Sequence, residues 1–347
     1  MKRKECRACK SKNLKIFLDL GKMPLAGGFL KGSDSMPFEK VYPLPVHVCQ
    51  ECSLVQILEI INPEILFQDY SFSSSTVRPL IQHFKEEGIL IPRVLFMPGV
   101  RELNNFLAEG LCYGSGDRTL WLGPAKIFPT MTTGAMVPSI EELVLLAQLA
   151  QDAGFPVAIH AVEEEVVEAA AKVIRVTRSS SGSPLRHRIE HASELSPRAL
   201  EFVINSGAVV ATNPGFLFFG GERYRSEVFP EVQPWLYRIG SLQRRGVPLS
   251  FGSDAPVEMP DTMSEIYSAV TRRSERGALL SVDEGITTDE ALRAHTVGGA
   301  YAAGAESWLG ALKPGMFRES QAGDEPARGS AEIDVQQPQL VCVRVLL

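Results

Sequence analysis

The chain has 347 residues, 45% of them hydrophobic and 22% charged. This balance suits a globular protein with a sizeable core and excludes a mostly disordered or fibrous one. A net charge of −6 argues against a dedicated nucleic-acid binder, and no run of 18 apolar residues exists to cross a membrane.

The basic start, MKRKECRACK, leads into no apolar stretch. A secretory leader is therefore not expected, and a cytoplasmic location is. Residues 1–87 hold 12 Lys/Arg against 10 Asp/Glu, and the remainder 23 against 31. Such a shift is expected where two units of different origin are joined.

Four of the six cysteines form two pairs, Cys6-x-x-Cys9 and Cys49-x-x-Cys52. A two-residue gap lets both thiolates of a pair point at one ion, and two such turns supply the tetrahedral sulfur shell that Zn²⁺ prefers. With no sign of secretion, a metal is expected rather than disulfides. Such a site is closed and structural, stabilising a stretch with few large apolar residues. His47 is a further possible ligand.

The segments CRACKSKNLKIFLDLGKMPLAGGFL and YPLPVHVCQECSLVQILEIINPEILFQDYSFSSST together resemble the N-terminal zinc-binding domain of SAM-dependent sugar C-methyltransferases, over residues 5–84. The resemblance implies a zinc-ribbon-like domain over 1–87. It also implies that Tyr70 with Ser73 to Thr76 borders a sugar-nucleotide site, or packs where the module meets its neighbour. The SAM-binding domain that follows in that family is not found. The nearest glycine pair, Gly114 and Gly116, leads into a β-like run rather than a helix.

From about Gly88 strands and helices alternate. Strands are expected at 93–97, 119–128, 155–161, 187–192, 208–215 and 247–256. Helices are expected at 138–154 (opened by Pro138-Ser139 and closed by Gly154), 162–178, 196–207 and 233–246. Near-continuous apolar strands between helices predict a parallel sheet, as a doubly wound fold or a barrel.

His160, His191 and Asp254 sit at C-terminal strand ends and Lys126 near another, the end of such a sheet where chemistry is placed. His187 shares strand parity with His191 but starts the strand. His191 is therefore the expected functional residue, and Glu190 is expected to point outward.

The segments GPAKIF, GFPVAIHAVEEE, HRIEHASEL, WLYRIGSLQRRGVPLSFGSDAPV and LRAHTVGGAYAAG resemble the later part of an amidohydrolase of the family-3 subgroup, over residues 93–316. The resemblance implies a distorted (β/α)₈ TIM-like barrel over 88–317, here partial, hydrolysing non-peptide carbon–nitrogen bonds of a small amide-type molecule. Lys126 would match the bridging lysine, and His160 and His191 the metal ligands of the fifth and sixth strands. Asp254 would match the eighth-strand aspartate that binds metal and moves protons. Asp254 and His191 are the expected catalytic residues, and Zn²⁺ the expected ion.

Relatives carry a His-x-His pair on the first barrel strand, and none of the six histidines here forms one. Two barrel strands are expected to be missing, and activity impaired. Residues 318–347 are polar and expected to be disordered. The alternative reading is a non-catalytic fusion whose only metal is the structural zinc of the methyltransferase-type module.

Overall fold

The computed structural model describes residues 3–24, 40–61, 74–131, 135–181 and 185–317. The tail over 318–347, Tyr70 and Ser73 lie outside the described residues. The chain divides into two compact units that part between Thr76 and Val77.

In the first unit, three antiparallel strands pair in the order β1 (Leu14–Pro24), β2 (Val41–Cys49), β3 (Val55–Ile57). Toward the end of β2 the alternation of a half-buried strand buries Pro45, His47 and Cys49 and leaves their neighbours more accessible. That period sets Cys49 inward beside Cys6, which is also buried.

In the second unit, the predicted strand over 119–128 forms as β5 (Leu120–Leu122) and β6 (Ala125–Ile127), broken at Gly123-Pro124. Both pieces lie along one neighbour, β4 (Val94–Phe96): Val94 pairs with Leu120, and the following Gly99 bridges to Lys126. The offset grows by one residue between these pairs, so the break is a bulge within one bent strand. A side chain at Gly123 would run into Leu95, which explains the small residue at the bend.

Beyond β6 follow β7 (Val157–Ala161), β8 (Arg188–His191), β9 (Val209–Thr212) and β10 (Leu249–Phe251), each parallel to the last. The pairing therefore runs β4, β5/β6, β7, β8, β9, β10, a six-stranded part of a barrel. Among the described residues, no strand pairs with the outer side of β4 or of β10.

The helices follow from their caps. Ser139 accepts the Glu142 amide at the start of α1 (Ile140–Asp152). Ser196 accepts the Ala199 amide at the start of α2 (Pro197–Ser206), which ends at Gly207 with φ 67°. Between these in sequence lies a long helix, Glu164–Ser181. The predicted helix over 233–246 shrinks to a 3₁₀ turn, Gln233–Trp235, and a short helix, Ile239–Arg244.

Ile127, Ile159, Ile189 and Val210 share one sheet face and join a core with Leu143, Ala147, Val167, Ala170 and Leu200 of the helices. The opposite face carries Lys126, His160, Arg188 and Glu190, because Lys126 pairs with Ala158, Ala158 with Arg188, and His160 with Glu190.

A buried acid–imidazole pair backs the last strand. Glu265 in the helix Thr262–Thr271 has Oε2 3.3 Å from Nε2 of His295, whose ring stands edge-on to Phe251 of β10. Burial, then the charge of Asp261, pushes Glu265 up from 4.5 to about 8, and burial pushes His295 down from 6.5 to about 4. A carboxyl raised on folding contributes stability that is full below pH 4.5 and lost as pH rises to about 8. The lowered imidazole contributes stability that is full above pH 6.5 and lost as pH falls to about 4. Between pH 6.5 and 8 only the carboxyl contribution slopes, downward. Urea midpoints should therefore fall across that window in the wild type and fall less in Glu265→Gln; equal slopes would contradict this ionisation.

Candidate metal centres

The two cysteine pairs adopt the same turn. Lys10 and Ser53, each the residue after the second cysteine, take left-handed backbone at φ 62° and 61°. Their amides donate to the carbonyls of Cys6 and Cys49, at 3.2 and 2.9 Å. The turn folds each pair so that both sulfurs face the other pair.

All four Sγ atoms lie within 4.8 Å of one another, with Cys6–Cys52 at 3.6 Å and Cys9–Cys49 at 3.5 Å. A tetrahedron with Zn–S of about 2.3 Å has edges of about 3.8 Å, so the donor set fits zinc. Burial pushes the Cys6 thiol up. Hydrogen bonds from the Cys9 amide, the Gln56 side chain and the Ala8 amide outweigh this and bring it down to about 6. The Gln56 amide sits 3.2 Å from that sulfur, a partner the sequence did not signal. His47 is not part of this donor group, and its Nδ1 lies 3.0 Å from the Pro45 carbonyl.

The second centre lies at the C-terminal ends of the parallel strands. The ring centroids of His160 and His191 are 4.7 Å apart, and Nε2 of His191 is 4.0 Å from Oδ2 of Asp254. Three of the four barrel residues expected from the sequence therefore meet. Lys126 shares the face of His160, two residues before the level at which Phe128 stacks on that imidazole.

The parity argument needs correction. Strand pairing sets Glu190, not His191, beside His160. Glu190 does not turn outward; it is buried and takes both Nε and Nη2 of Arg188, at 2.8 and 3.0 Å. His191 reaches the His160 face because its backbone is left-handed, φ 72°, and Ala192 follows at 49°. This reverses the direction that β alternation dictates. Asp254 is also left-handed, at 61°. His187 is structural as expected, its Nδ1 accepting the Val157 amide at 3.1 Å.

Asn213, which the sequence reading passed over, fixes the state of His191. Its Nδ2 donates to the Gly252 carbonyl at 2.5 Å, so its Oδ1 is free to accept from His191 Nδ1 at 2.7 Å. A proton is thereby placed on Nδ1, and Nε2 lies 4.0 Å from Oδ2 of the Asp254 carboxylate. Two electron-pair donors 4.0 Å apart suit a cation between them, since two bonds of about 2.1 Å span about 4.2 Å. Imidazole and carboxylate are donor types that suit a divalent ion, while among the described residues only the four cysteines bring three or more metal donors together.

A model of the amidohydrolase family matches residues 108–317. The chain belongs to the amidohydrolase family. A second family model, of a zinc binding domain, matches residues 6–67. The N-substituted formamide deformylase of Arthrobacter pascens is 30% identical over 185 residues, 52% of this chain and 34% of that protein. The C-methyltransferase NovU of Streptomyces niveus is 34% identical over 82 residues, 24% of this chain and 20% of that protein.

A solved metal-dependent hydrolase from Pyrococcus horikoshii superposes with a TM-score of 0.59 at 27% identity, covering 69% of this chain and 52% of that one. One from Pyrococcus furiosus superposes at 0.58 with 24% identity and the same coverage, and shows the fold. The chain thus spans about a third of the deformylase and about half of these hydrolases. Both resemblances seen in the sequence hold, and so does the α/β barrel with its zinc-ribbon-like partner. No described helix is long and apolar enough to cross a membrane.

The cysteine centre makes a direct prediction. Metal analysis of Cys9→Ser should show one zinc fewer per chain than the wild type; unchanged zinc content would exclude the four-sulfur site.

Proposed function

We propose that the barrel unit hydrolyses a non-peptide amide-type carbon–nitrogen bond of a small molecule, with Lys126, His160, His191 and Asp254 holding a divalent ion, most simply Zn²⁺. The supporting observation is Nε2 of His191 lying 4.0 Å from the Asp254 carboxylate, beside His160. Membership of the amidohydrolase family and the likeness to a deformylase of N-substituted formamides favour the same chemistry.

Bound there, a divalent ion supplies Lewis acidity to an amide carbonyl and lowers the pKa of water from about 15.7 toward 7. Asp254 takes the proton of the water that attacks the carbonyl carbon. It returns that proton to the nitrogen as the carbon–nitrogen bond breaks, giving a carboxylic acid and an amine. His191, locked in one tautomer by Asn213, keeps its Nε2 on the site through the cycle. Lys126 would be among the residues that hold the ion, as the resemblance implies.

The chain lacks a His-x-His pair, so the rate should lie below that of a barrel with the full ligand set. The second reading, a non-catalytic fusion with only the cysteine zinc, draws on β4 and β10 being paired, among the described residues, on one side only. Units 1–87 and 88–317 remain our proposed domain division.

Asp254→Asn should abolish hydrolysis of a simple amide while leaving the thermal midpoint within a few degrees; retained turnover would remove Asp254 from its role. Asn213→Ala should weaken metal affinity at the barrel about 10- to 100-fold, read by zinc titration. An unchanged affinity would show that Asn213 does not orient the ligand.

A further inference from the structure

The second unit holds a cavity of about 290 Å³ that shares no residue with the metal centre. Its walls include Tyr113, Gly116, Arg118, Trp121, Gly304 and Trp308. It lies at the start of β5, whereas His160, His191 and Asp254 stand at the C-terminal ends of the strands.

Hydrogen bonds hold these walls in place. The chain ahead of β5 doubles back on it: the Gly114 amide donates to the Leu122 carbonyl and the Leu122 amide to the Ser115 carbonyl, both at 2.9 Å, and the Asp117 amide to the Leu120 carbonyl at 3.0 Å. Gly116 makes the bend at φ 122°, where a side chain would run into the Leu120 carbonyl. Trp121 donates from Nε1 to the Ala303 carbonyl at 3.3 Å, and its ring stands edge-on to Trp308 at 5.5 Å and 70°.

Two polar groups belong to this wall. The Arg118 guanidinium lies over the rings of Trp308 and Phe317, 5.7 and 4.8 Å from their centres. Stacking of this kind uses the face of the fork and leaves its in-plane N–H groups to bind an anion. The Tyr113 ring is braced edge-on by Phe155 at 6.3 Å, and its hydroxyl stands over Gly304, where a Cβ would lie 3.2 Å from it. Among the described residues, no carboxylate pairs with Arg118 and no group hydrogen-bonds to the Tyr113 hydroxyl.

The acids nearby are already engaged. Asp117 accepts from the amide and hydroxyl of Thr119 and from the Leu120 amide, at 2.6, 2.7 and 3.0 Å, and Glu306 is paired with Arg186. Lys85 and Arg93 add positive charge beside Asp117. This balance favours an anion, and the two indole rings favour a flat one. An apolar cavity of about 150 Å³ holds one benzene, so about twice that volume suits two fused rings with a carboxylate.

We propose that this cavity binds a planar two-ring aromatic carboxylate, its rings against Trp121 and Trp308 and its carboxylate on Arg118 and the Tyr113 hydroxyl. Binding there requires neither the barrel metal nor turnover.

The test is calorimetry on the full chain with 2-naphthoate, its uncharged counterpart 2-naphthalenemethanol, and the one-ring benzoate. 2-Naphthoate should bind at least about tenfold more tightly than the alcohol, the scale of a hydrogen bond to a charged group, and several-fold more tightly than benzoate. Arg118→Gln should weaken 2-naphthoate about tenfold and leave the alcohol unchanged. Tyr113→Phe, which keeps the ring on Phe155, should weaken 2-naphthoate several-fold. His160→Ala should leave it unchanged. Absence of saturable binding, equal constants for the three molecules, or an unchanged constant in Arg118→Gln would overturn the inference. Loss of 2-naphthoate binding in His160→Ala would place the carboxylate at the metal centre and overturn it as well. Should a variant fail to fold, the series of three molecules on the wild type decides alone.

Discussion

The barrel centre depends on a reversal of backbone direction at one residue. Left in ordinary β conformation, His191 would face the helices with Ile189, and Glu190 alone would stand beside His160. Left-handed backbone at His191 and Ala192 turns the imidazole onto the opposite face, at a cost of about 1–2 kcal/mol per residue. The strand edge and the Asn213–Gly252 contact hold it there. Left-handed backbone at Asp254 does the same for the opposing carboxylate. Strain of this kind persists where the surrounding structure over-determines it, and it gathers at sites of chemistry.

Beneath the centre, the same face carries a buried ion pair. Arg188 and Glu190 meet in two contacts, which spares the interior an uncompensated charge. The cysteine unit solves a different problem by related means. Its sheet is small, and many of the apolar residues of β1 are exposed, so covalent-strength bonds to one ion supply cohesion that burial does not.

Much of this was legible in the sequence because the signals were local. Cys-x-x-Cys spacing, Ser caps at Ser139 and Ser196, Gly207 as a stop, and apolar strands ending in His160, His191 and Asp254 each report on a few neighbouring residues. What escaped depended on partners distant in the chain. Asn213 reads as an ordinary residue before a proline until β8 and β9 lie together. Phe128 becomes a site residue only through its register with His160. Position at the strand's C-terminal end singled out His191 over His187, whereas the parity rule misplaced Glu190, since a left-handed strand end leaves no mark in a single sequence. The helix Pro214–Glu227 carries Phe216 to the imidazoles.

Two ions of unlike surroundings in one chain are the account's central claim, and X-ray absorption on the fully zinc-loaded protein tests it most directly. The account predicts two shells, sulfur at about 2.3 Å and nitrogen or oxygen at about 2.0–2.1 Å. A single sulfur shell, with one zinc per chain, would contradict it.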